Sequence, residues 1–244
     1  MPNIDEFPQP FRSFFEATSR ELADIAGRTI SAFRWRTNTP GPHNPVSFRR
    51  FEWSLDNDFW HPMPPAIHVR VTVFQPLRAP EELRAETEMI VRDGGAEPLH
   101  HDLFPEAWNQ RDANPRSALA IGITAAELAV KRCISTLIPS GEWLATYVPS
   151  PPLIQILKEY LPILPVRCHI SEVAKAPPQQ LLDTLRKGVT IRNRLSHAGG
   201  ASPSTEDVEN ILEAVRDLLW LTDYYSGVPW AFGYISDVTR AQLS

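Results

Sequence analysis

The segment 192–200 holds the residues whose types and spacing best suit chemistry. Arg192 and His197 stand five residues apart at the end of a predicted helix, and Gly199 and Gly200 follow them. A guanidinium can hold a phosphate through two parallel charge-assisted hydrogen bonds, and an imidazole can carry a proton near neutral pH. The pair therefore has the chemistry needed to act on a phosphodiester.

Arg192 is predicted to face the protein core. It lies in the middle of the apolar stripe of a helix expected over residues 178–197. The stripe is formed by Leu181, Leu185, Val189 and Leu195. An arginine in that position is costly unless it is paired and hydrogen-bonded. Glu127 is the only charged residue between Arg116 and Lys131, in a second predicted core helix, so we expect the Arg192 guanidinium to contact the Glu127 carboxylate.

Regular helix geometry does not bring His197 to Arg192, because five residues correspond to about 140° around the helix axis. The two side chains can meet if the helix unwinds at Gly199 and Gly200, or if two copies of the chain pair across a two-fold axis. A helix C-terminus also favours a positively charged imidazole. Two simpler interpretations stay open: Arg192 and Glu127 form only a structural pair, and His197 only caps the helix.

The charges around this segment suggest a substrate contact. From Thr184 to Thr205 the sequence has no acidic residue. The cations of this run that accompany Arg192 are Arg186, Lys187 and Arg194. We expect this basic patch to attract a phosphate backbone with modest, salt-sensitive affinity. The alternative is an ordinary solvated helix face.

The elements that must position these residues are helices throughout the second part of the chain. We expect helices over residues 98–110, 117–137, 153–161, 178–197 and 205–225. The helix over 117–137 is apolar on every side, which is typical of a buried helix. Residues 96–228 are therefore predicted to form a helix bundle, and residues 229–244 a C-terminal tail.

Residues 1–95 show a mixed pattern and are predicted to form a smaller α/β domain. Alternation of apolar and polar residues has the period of a half-buried strand. We expect an opening amphipathic helix, strands over 29–36, 51–55 and 69–73, and a helix over 81–92. The predicted fold class is therefore α+β: an all-α bundle preceded by a domain with a few antiparallel strands.

The composition excludes several classes of protein. The chain has 244 residues, of which 43% are hydrophobic, and its net charge of −5 argues against coating nucleic acid by bulk electrostatics. No apolar run reaches the roughly 18 residues that span a bilayer. Cys133 and Cys168 are too few for a disulfide framework, and the first residues lack the pattern of a signal peptide. We expect a cytoplasmic protein without a membrane partner.

The adjacent His100 and His101 invite interpretation as a metal site. No cysteine or histidine at a spacing typical of metal ligands accompanies them. From the sequence we therefore expect no metal ion and no other cofactor.

The run Arg192-Asn193-Arg194-Leu195-Ser196-His197 resembles the Arg-x4-6-His motif of HEPN domains. These are helical bundles found in prokaryotic toxins, phage-defence proteins and CRISPR-associated ribonucleases. The segment 123–131, which contains Glu127, is similar to the core helix that carries an acidic residue in the Apea-like and related HEPN groups. The resemblance covers roughly residues 98–227.

This resemblance implies metal-independent cleavage of RNA by a homodimer, in prokaryotic stress or phage defence. Arg192 would bind the scissile phosphate and His197 would act as general acid or base. Asn193 would orient the site and Glu127 would hold Arg192. Arg186, Lys187 and Arg194 would contact the substrate.

One departure from the family concerns the partner protein. HEPN toxins that pair with nucleotidyltransferase antitoxins often carry a tyrosine two residues after the histidine, where this chain has Gly199. An antitoxin or defence partner therefore stays undefined, and residues 1–95 are expected to act as a sensor or specificity module. The alternative function is a non-catalytic HEPN-like protein that dimerises or binds RNA, a nucleotide or another partner.

Overall fold

The computed structural model describes residues 8–39, 52–53, 56–58, 61–62, 80–168, 175–198 and 201–243. The chain divides into two compact units: an N-terminal unit, Met1–Glu97, and a C-terminal unit, Pro98–Ser244. Within the described ranges, none of the helices combines the length and the apolar character needed to cross a membrane.

The described part of the N-terminal unit consists mainly of two helices. Helix α1 spans Gln9–Thr37 and helix α2 spans Glu81–Arg92. They pack together, and an ion pair between Arg36 and Glu86 joins them. A short antiparallel pair, β1 (Glu52–Trp53) and β2 (His61–Pro62), places Glu52 opposite Pro62 and Trp53 opposite His61.

The prediction of an α+β fold is wrong. Among the described residues, strand pairing is limited to the two-residue strands β1 and β2, and no antiparallel strand domain is seen. The strand expected over 29–36 lies inside α1. The strand expected over 51–55 contributes only β1, and the one expected over 69–73 lies outside the described residues.

Helix α1 forms where a strand was expected. Of its three buried residues, Ala32 and Trp35 lie three positions apart and share one helix face, and the third is Arg34. The threonine hydroxyls are satisfied within the helix: Thr29 donates to the carbonyl of Ile25 at 2.8 Å, and Thr37 donates to that of Phe33 at 2.7 Å. The segment 29–36 is therefore part of a helix rather than the expected strand.

The described residues of the C-terminal unit contain seven α-helices. They are α3 (Leu99–Gln110), α4 (Pro115–Leu137), α5 (Glu142–Tyr147), α6 (Leu153–Gln155), α7 (Gln179–Ala198), α8 (Thr205–Tyr225) and α9 (Asp237–Ala241). Helix α6 continues into a π turn, Ile156–Tyr160, and a 3-10 turn, Leu161–Ile163. Further 3-10 turns span Pro139–Gly141 and Pro229–Tyr234.

Helix α4 is the centre of this unit, and α3, α5, α7 and α8 all pack against it. It begins at Asn114, whose side chain accepts a hydrogen bond from the backbone N–H of Ser117 at 3.2 Å, and Pro115 suits the first helical position. Its fully buried side chains include Leu119, Ile123 and Ile134. Most of the helix is therefore buried, but Ala120, Thr124 and Arg132 are exposed along one face, so the expected burial on every side is only partly met.

The segment expected to be a C-terminal tail packs into the bundle. Ala231 and Ile235 are buried, although they lie in or next to the 3-10 turn Pro229–Tyr234. The buried Asp217 carboxylate of α8 accepts hydrogen bonds from the backbone N–H of Ser236 at 3.0 Å and from the Thr239 hydroxyl at 2.6 Å. Asp217 therefore fixes the start of α9.

Gly188 allows α7 to lie close to both α4 and α8. A Cβ atom at this position would come within 2.7 Å of Cγ2 of Ile211 and 3.0 Å of Cδ1 of Ile123. Any other residue would push α7 outward. Arg192 follows Gly188 by one helical turn and lies on the same side of α7, so this close approach also sets how far Arg192 must reach into the core.

We predict that Gly188→Val lowers the free energy of unfolding by about 1–3 kcal/mol, because the added methyl groups overpack the contact with Ile211 and Ile123. Urea unfolding measures the change. Gly27→Val in α1 is the control, since a Cβ at Gly27 meets nothing within 4 Å, and it should change stability by less than about 0.5 kcal/mol. Equal stabilities of the two variants would contradict the close packing of α7.

Candidate functional site

Arg192 and Glu127 form an ion pair that joins α7 to α4. The Arg192 Nη2 group donates a hydrogen bond to Glu127 Oε1. The Ser150 hydroxyl donates to the same oxygen at 3.1 Å, and Arg192 Nη2 lies 3.4 Å from Ser150 Oγ. The contact predicted from helical phase is confirmed, and Ser150 is an additional member that the sequence did not indicate.

The two charges differ in their access to solvent. The Glu127 side chain is 11% exposed, whereas the Arg192 side chain is 22% exposed. Arg192 Nε is buried and has no hydrogen-bond partner in the described part of the chain, and no contact of Nη1 is found there. The guanidinium is therefore anchored through Nη2 alone, and it is neither sealed in the core nor fully satisfied.

His197 lies in the last turn of α7, which continues to Ala198 without a break. Because the helix stays regular from Arg192 to His197, their positions on the helix are about 140° apart around the axis. Unwinding does not occur within this stretch of backbone. The His197 side chain, Gly199 and Gly200 lie outside the description, so the meeting of His197 with Arg192 stays a prediction.

The basic patch is weaker than the sequence suggests, because neighbouring acids pair with two of its cations. Arg186 forms an ion pair with Asp183, one turn earlier in α7. Lys187 Nζ lies 2.5 Å from Asp207 Oδ1 in α8. Hydrogen bonds from Lys187 and then from Ser204 lower the pKa of Asp207. Asp183 and Asp207 lie just outside residues 184–205, the part of the sequence without an acidic residue.

The two other residues predicted for the site lie on the surface. Asn193 and Arg194 are both exposed, next to Arg192 in α7. Within the described ranges, no ion pair or side-chain hydrogen bond involves Arg194. Among the described residues of the patch, Arg194 therefore differs from Arg186, Lys187 and Arg192, which are each paired with an acid.

A second polar cluster, which the sequence did not reveal, joins α3 to α8. His101 Nε2 lies 2.8 Å from Asp223 Oδ2, and His100 Nε2 lies 3.3 Å from Asp223 Oδ1. All three side chains are buried. Arg132 Nη1 of α4 lies 3.7 Å from Asp223 Oδ1, and the His101 ring stacks against Trp220 with centroids 4.1 Å apart.

Burial sets the protonation states in this cluster. It lowers the pKa of His100 to about 4, so this imidazole is neutral at pH 7. Burial also opposes ionisation of Asp223, but hydrogen bonds from His100 and His101 outweigh it and hold the pKa of this carboxyl well below its usual range. Burial raises the pKa of the nearby Cys133 to about 12, which keeps it a thiol.

Asp223 was missed because it is separated from the histidines by more than a hundred residues. A usable signal does exist in the sequence. Asp217 and Asp223 are acidic residues on buried positions of α8, and a buried carboxylate requires a partner. That rule identifies the residue that needs a partner but not which distant side chain supplies it.

Comparisons with protein-family models, curated proteins and solved structures found no match to this chain. The likeness to HEPN domains therefore depends on the residues themselves, namely 192–197 and 123–131. The geometry described above supplies the physical basis for any function.

We predict that Glu127 and Arg192 are energetically coupled. Glu127→Gln should lower the free energy of unfolding by about 1–3 kcal/mol, because it weakens the charge-assisted bond and leaves a partly buried guanidinium poorly paired. In a double-mutant cycle with Arg192→Ala, the coupling energy should be about 1–2 kcal/mol.

The control for this cycle is the pair Glu88 and Arg92 in α2, whose side chains are 68% and 70% exposed. Its coupling energy should stay below about 0.5 kcal/mol, since exposed ion pairs contribute little. Coupling for Glu127 and Arg192 no larger than that value would contradict a stabilising role for their contact.

We predict that His100 makes the protein less stable in mild acid. Its pKa is about 4 in the folded chain and near 6.5 when unfolded, so the unfolded chain binds the extra proton between these values. Stability is then lost as the pH falls from 6.5 to 4, by about 3 kcal/mol. The groups facing His100 are His101, Asp223 and Arg132.

Urea unfolding of wild type and His100→Gln at several pH values tests this. The loss of stability between pH 6.5 and pH 4 should be smaller in the variant, because glutamine does not titrate. The contribution of Asp223 to stability is lost only as the pH falls below the pKa of the unfolded chain, near 3.8, which is outside this window. Parallel pH profiles for the two proteins would show that His100 is not the group responsible.

Proposed function

We propose that residues 98–227 act as a HEPN-type endoribonuclease that cleaves RNA without a metal ion, as a homodimer, in prokaryotic stress or phage defence. One observation supports this above the others: Arg192 is held by Glu127 at a partly exposed position between α4 and α7. A cation fixed in advance stabilises developing negative charge without reorganisation during the reaction.

In this mechanism Arg192 binds the scissile phosphate while Glu127 and Ser150 keep its Nη2 group in place. The 2′-oxygen attacks phosphorus, and the bond from phosphorus to the 5′-oxygen breaks. His197 either removes the proton from the 2′-hydroxyl or supplies one to the leaving 5′-oxygen. The products are a 2′,3′-cyclic phosphate and a 5′-hydroxyl. Asn193, exposed beside Arg192, orients the substrate.

The regular geometry of α7 supports a dimeric site. Arg192 and His197 occupy positions about 140° apart on an unbroken helix, so the two positions of one copy do not share a helix face. In a two-fold dimer, Arg192 of one copy approaches His197 of the other, and the arrangement occurs twice.

Substrate affinity is expected to be modest. Arg194 offers a cation to the RNA backbone, whereas Arg186 and Lys187 must first exchange Asp183 and Asp207 for phosphate. Replacing an aspartate partner by a phosphate stabilises the complex less than pairing a phosphate with an unpaired cation does. Binding should weaken as the salt concentration rises, because counterions are released from the RNA.

A non-catalytic HEPN-like protein is the second candidate. The pairing of Arg192, Arg186 and Lys187 with acids favours it, because a chain with these cations already neutralised holds RNA loosely. Such a protein would dimerise, or bind RNA, a nucleotide or another partner, without cutting RNA.

We predict that wild-type protein cleaves RNA in the presence of EDTA and that His197→Ala and Arg192→Ala each reduce the rate by about 100-fold or more. The assay follows a labelled RNA on denaturing gels. Lys158→Ala, which removes an exposed cation outside the proposed site, should retain the wild-type rate. RNA with 2′-O-methyl groups should resist cleavage, because the attacking hydroxyl is blocked.

The outcomes separate the two candidates. Equal cleavage by wild type and His197→Ala would reject the assignment of His197. Absence of cleavage by the wild type, combined with RNA binding measured by fluorescence anisotropy, would favour the non-catalytic protein. Circular dichroism of each variant shows whether a lost activity reflects the site or unfolding.

A further inference from the structure

We propose that His100, His101 and Asp223 form a binding site for a divalent transition-metal ion that joins α3 to α8. This site is separate from Arg192 and His197 and does not depend on the proposed ribonuclease activity. One potential ligand atom from each of the three side chains lies within 4.8 Å of the others.

The spacing of these atoms suits a shared ion. Two ligands bound to Zn²⁺ at about 2.0–2.1 Å stand roughly 3.0–3.4 Å apart, depending on the angle between them. The Nε2 atom of His100 lies 3.3 Å from Asp223 Oδ1, and that of His101 lies 2.8 Å from Asp223 Oδ2. The three ligand atoms span up to 4.8 Å, so the side chains must rotate toward one another for the two hydrogen bonds to be replaced by metal bonds.

Two of the ligands have the protonation state that a metal requires. Burial keeps His100 neutral, and Asp223 is ionised because its pKa is held below the usual range. Metal binding needs the lone pair of each Nε2 atom, so the proton of the neutral His100 ring must occupy Nδ1.

The charges around the site also permit a cation. Arg132 Nη1 lies 3.7 Å from Asp223 Oδ1, but its side chain is 47% exposed. It can therefore keep one oxygen as an outer partner, or turn to solvent when a metal takes its place. Trp220 packs against the His101 ring, with a centroid distance of 4.1 Å and an angle of 41° between the ring planes.

The donor set identifies the class of ion. Two imidazole nitrogens and one carboxylate oxygen suit Zn²⁺, Co²⁺ or Fe²⁺, whereas Mg²⁺ prefers oxygen ligands alone. Such an ion would connect the beginning of α3 with the end of α8 and stabilise the folded state over the unfolded one.

Titration of the full-length protein, after dialysis against a chelator, tests the site. Co²⁺ should bind one ion per chain, with visible absorption bands of a coordinated ion, and Zn²⁺ should displace it. Asp223→Asn and His101→Gln should each weaken binding by about 100-fold or more. Asp237→Asn, which removes an exposed carboxylate outside the cluster, should bind as the wild type does.

Two further measurements on the wild type do not depend on the folding of any variant. Zn²⁺ should raise the melting temperature while the same concentration of Mg²⁺ does not. X-ray absorption of the Zn²⁺ complex should show nitrogen and oxygen ligands, including two imidazoles. Failure of wild type to bind Co²⁺ or Zn²⁺, or equal binding by wild type and well-folded Asp223→Asn, would overturn the proposal.

RNA cleavage is not a readout in these experiments, so an inactive protein that binds Co²⁺ through the cluster would still support the metal site. Conversely, a protein that cleaves RNA in EDTA but binds no metal would retain the proposed function and lose the metal site.

Discussion

The burial of most of α4 is the constraint on which the C-terminal unit depends. Charges on the buried positions of a helix must be satisfied by its neighbours. Glu127 contacts Arg192 of α7 and Ser150, Lys131 donates to the Pro149 carbonyl at 3.2 Å, and Arg132 approaches Asp223 of α8. The charges of α4 therefore determine which elements must lie beside it.

Two of the polar groups in the C-terminal unit differ in their access to solvent. The Arg192 pair joins α4 to α7 at a position that solvent can reach, so its guanidinium can meet a ligand without leaving Glu127. The cluster of His100, His101 and Asp223 is fully enclosed, so its groups mainly face one another. An open pair suits contact with a large substrate, whereas an enclosed cluster suits a small ion or a purely structural role.

The helical phase of the residues was the sequence feature that predicted the candidate site well. It placed Arg192 among core residues, and the burial rule for lone charges then identified Glu127 as its partner. The same rules could not locate Asp223 beside His100 or Asp207 beside Lys187, because those contacts depend on how separate helices pack. In α1, local alternation indicated a strand, but the spacing of Ala32 and Trp35 on one helix face prevailed.

The stacking of Trp220 on His101 gives the enclosed cluster a spectroscopic reporter. An indole at a centroid distance of 4.1 Å from an imidazole responds to the charge of that ring through its fluorescence. Coordination of an ion by the ring changes the electric field at the indole. In a variant without the six other tryptophans of the chain, Trp220 emission therefore follows the interior of the bundle.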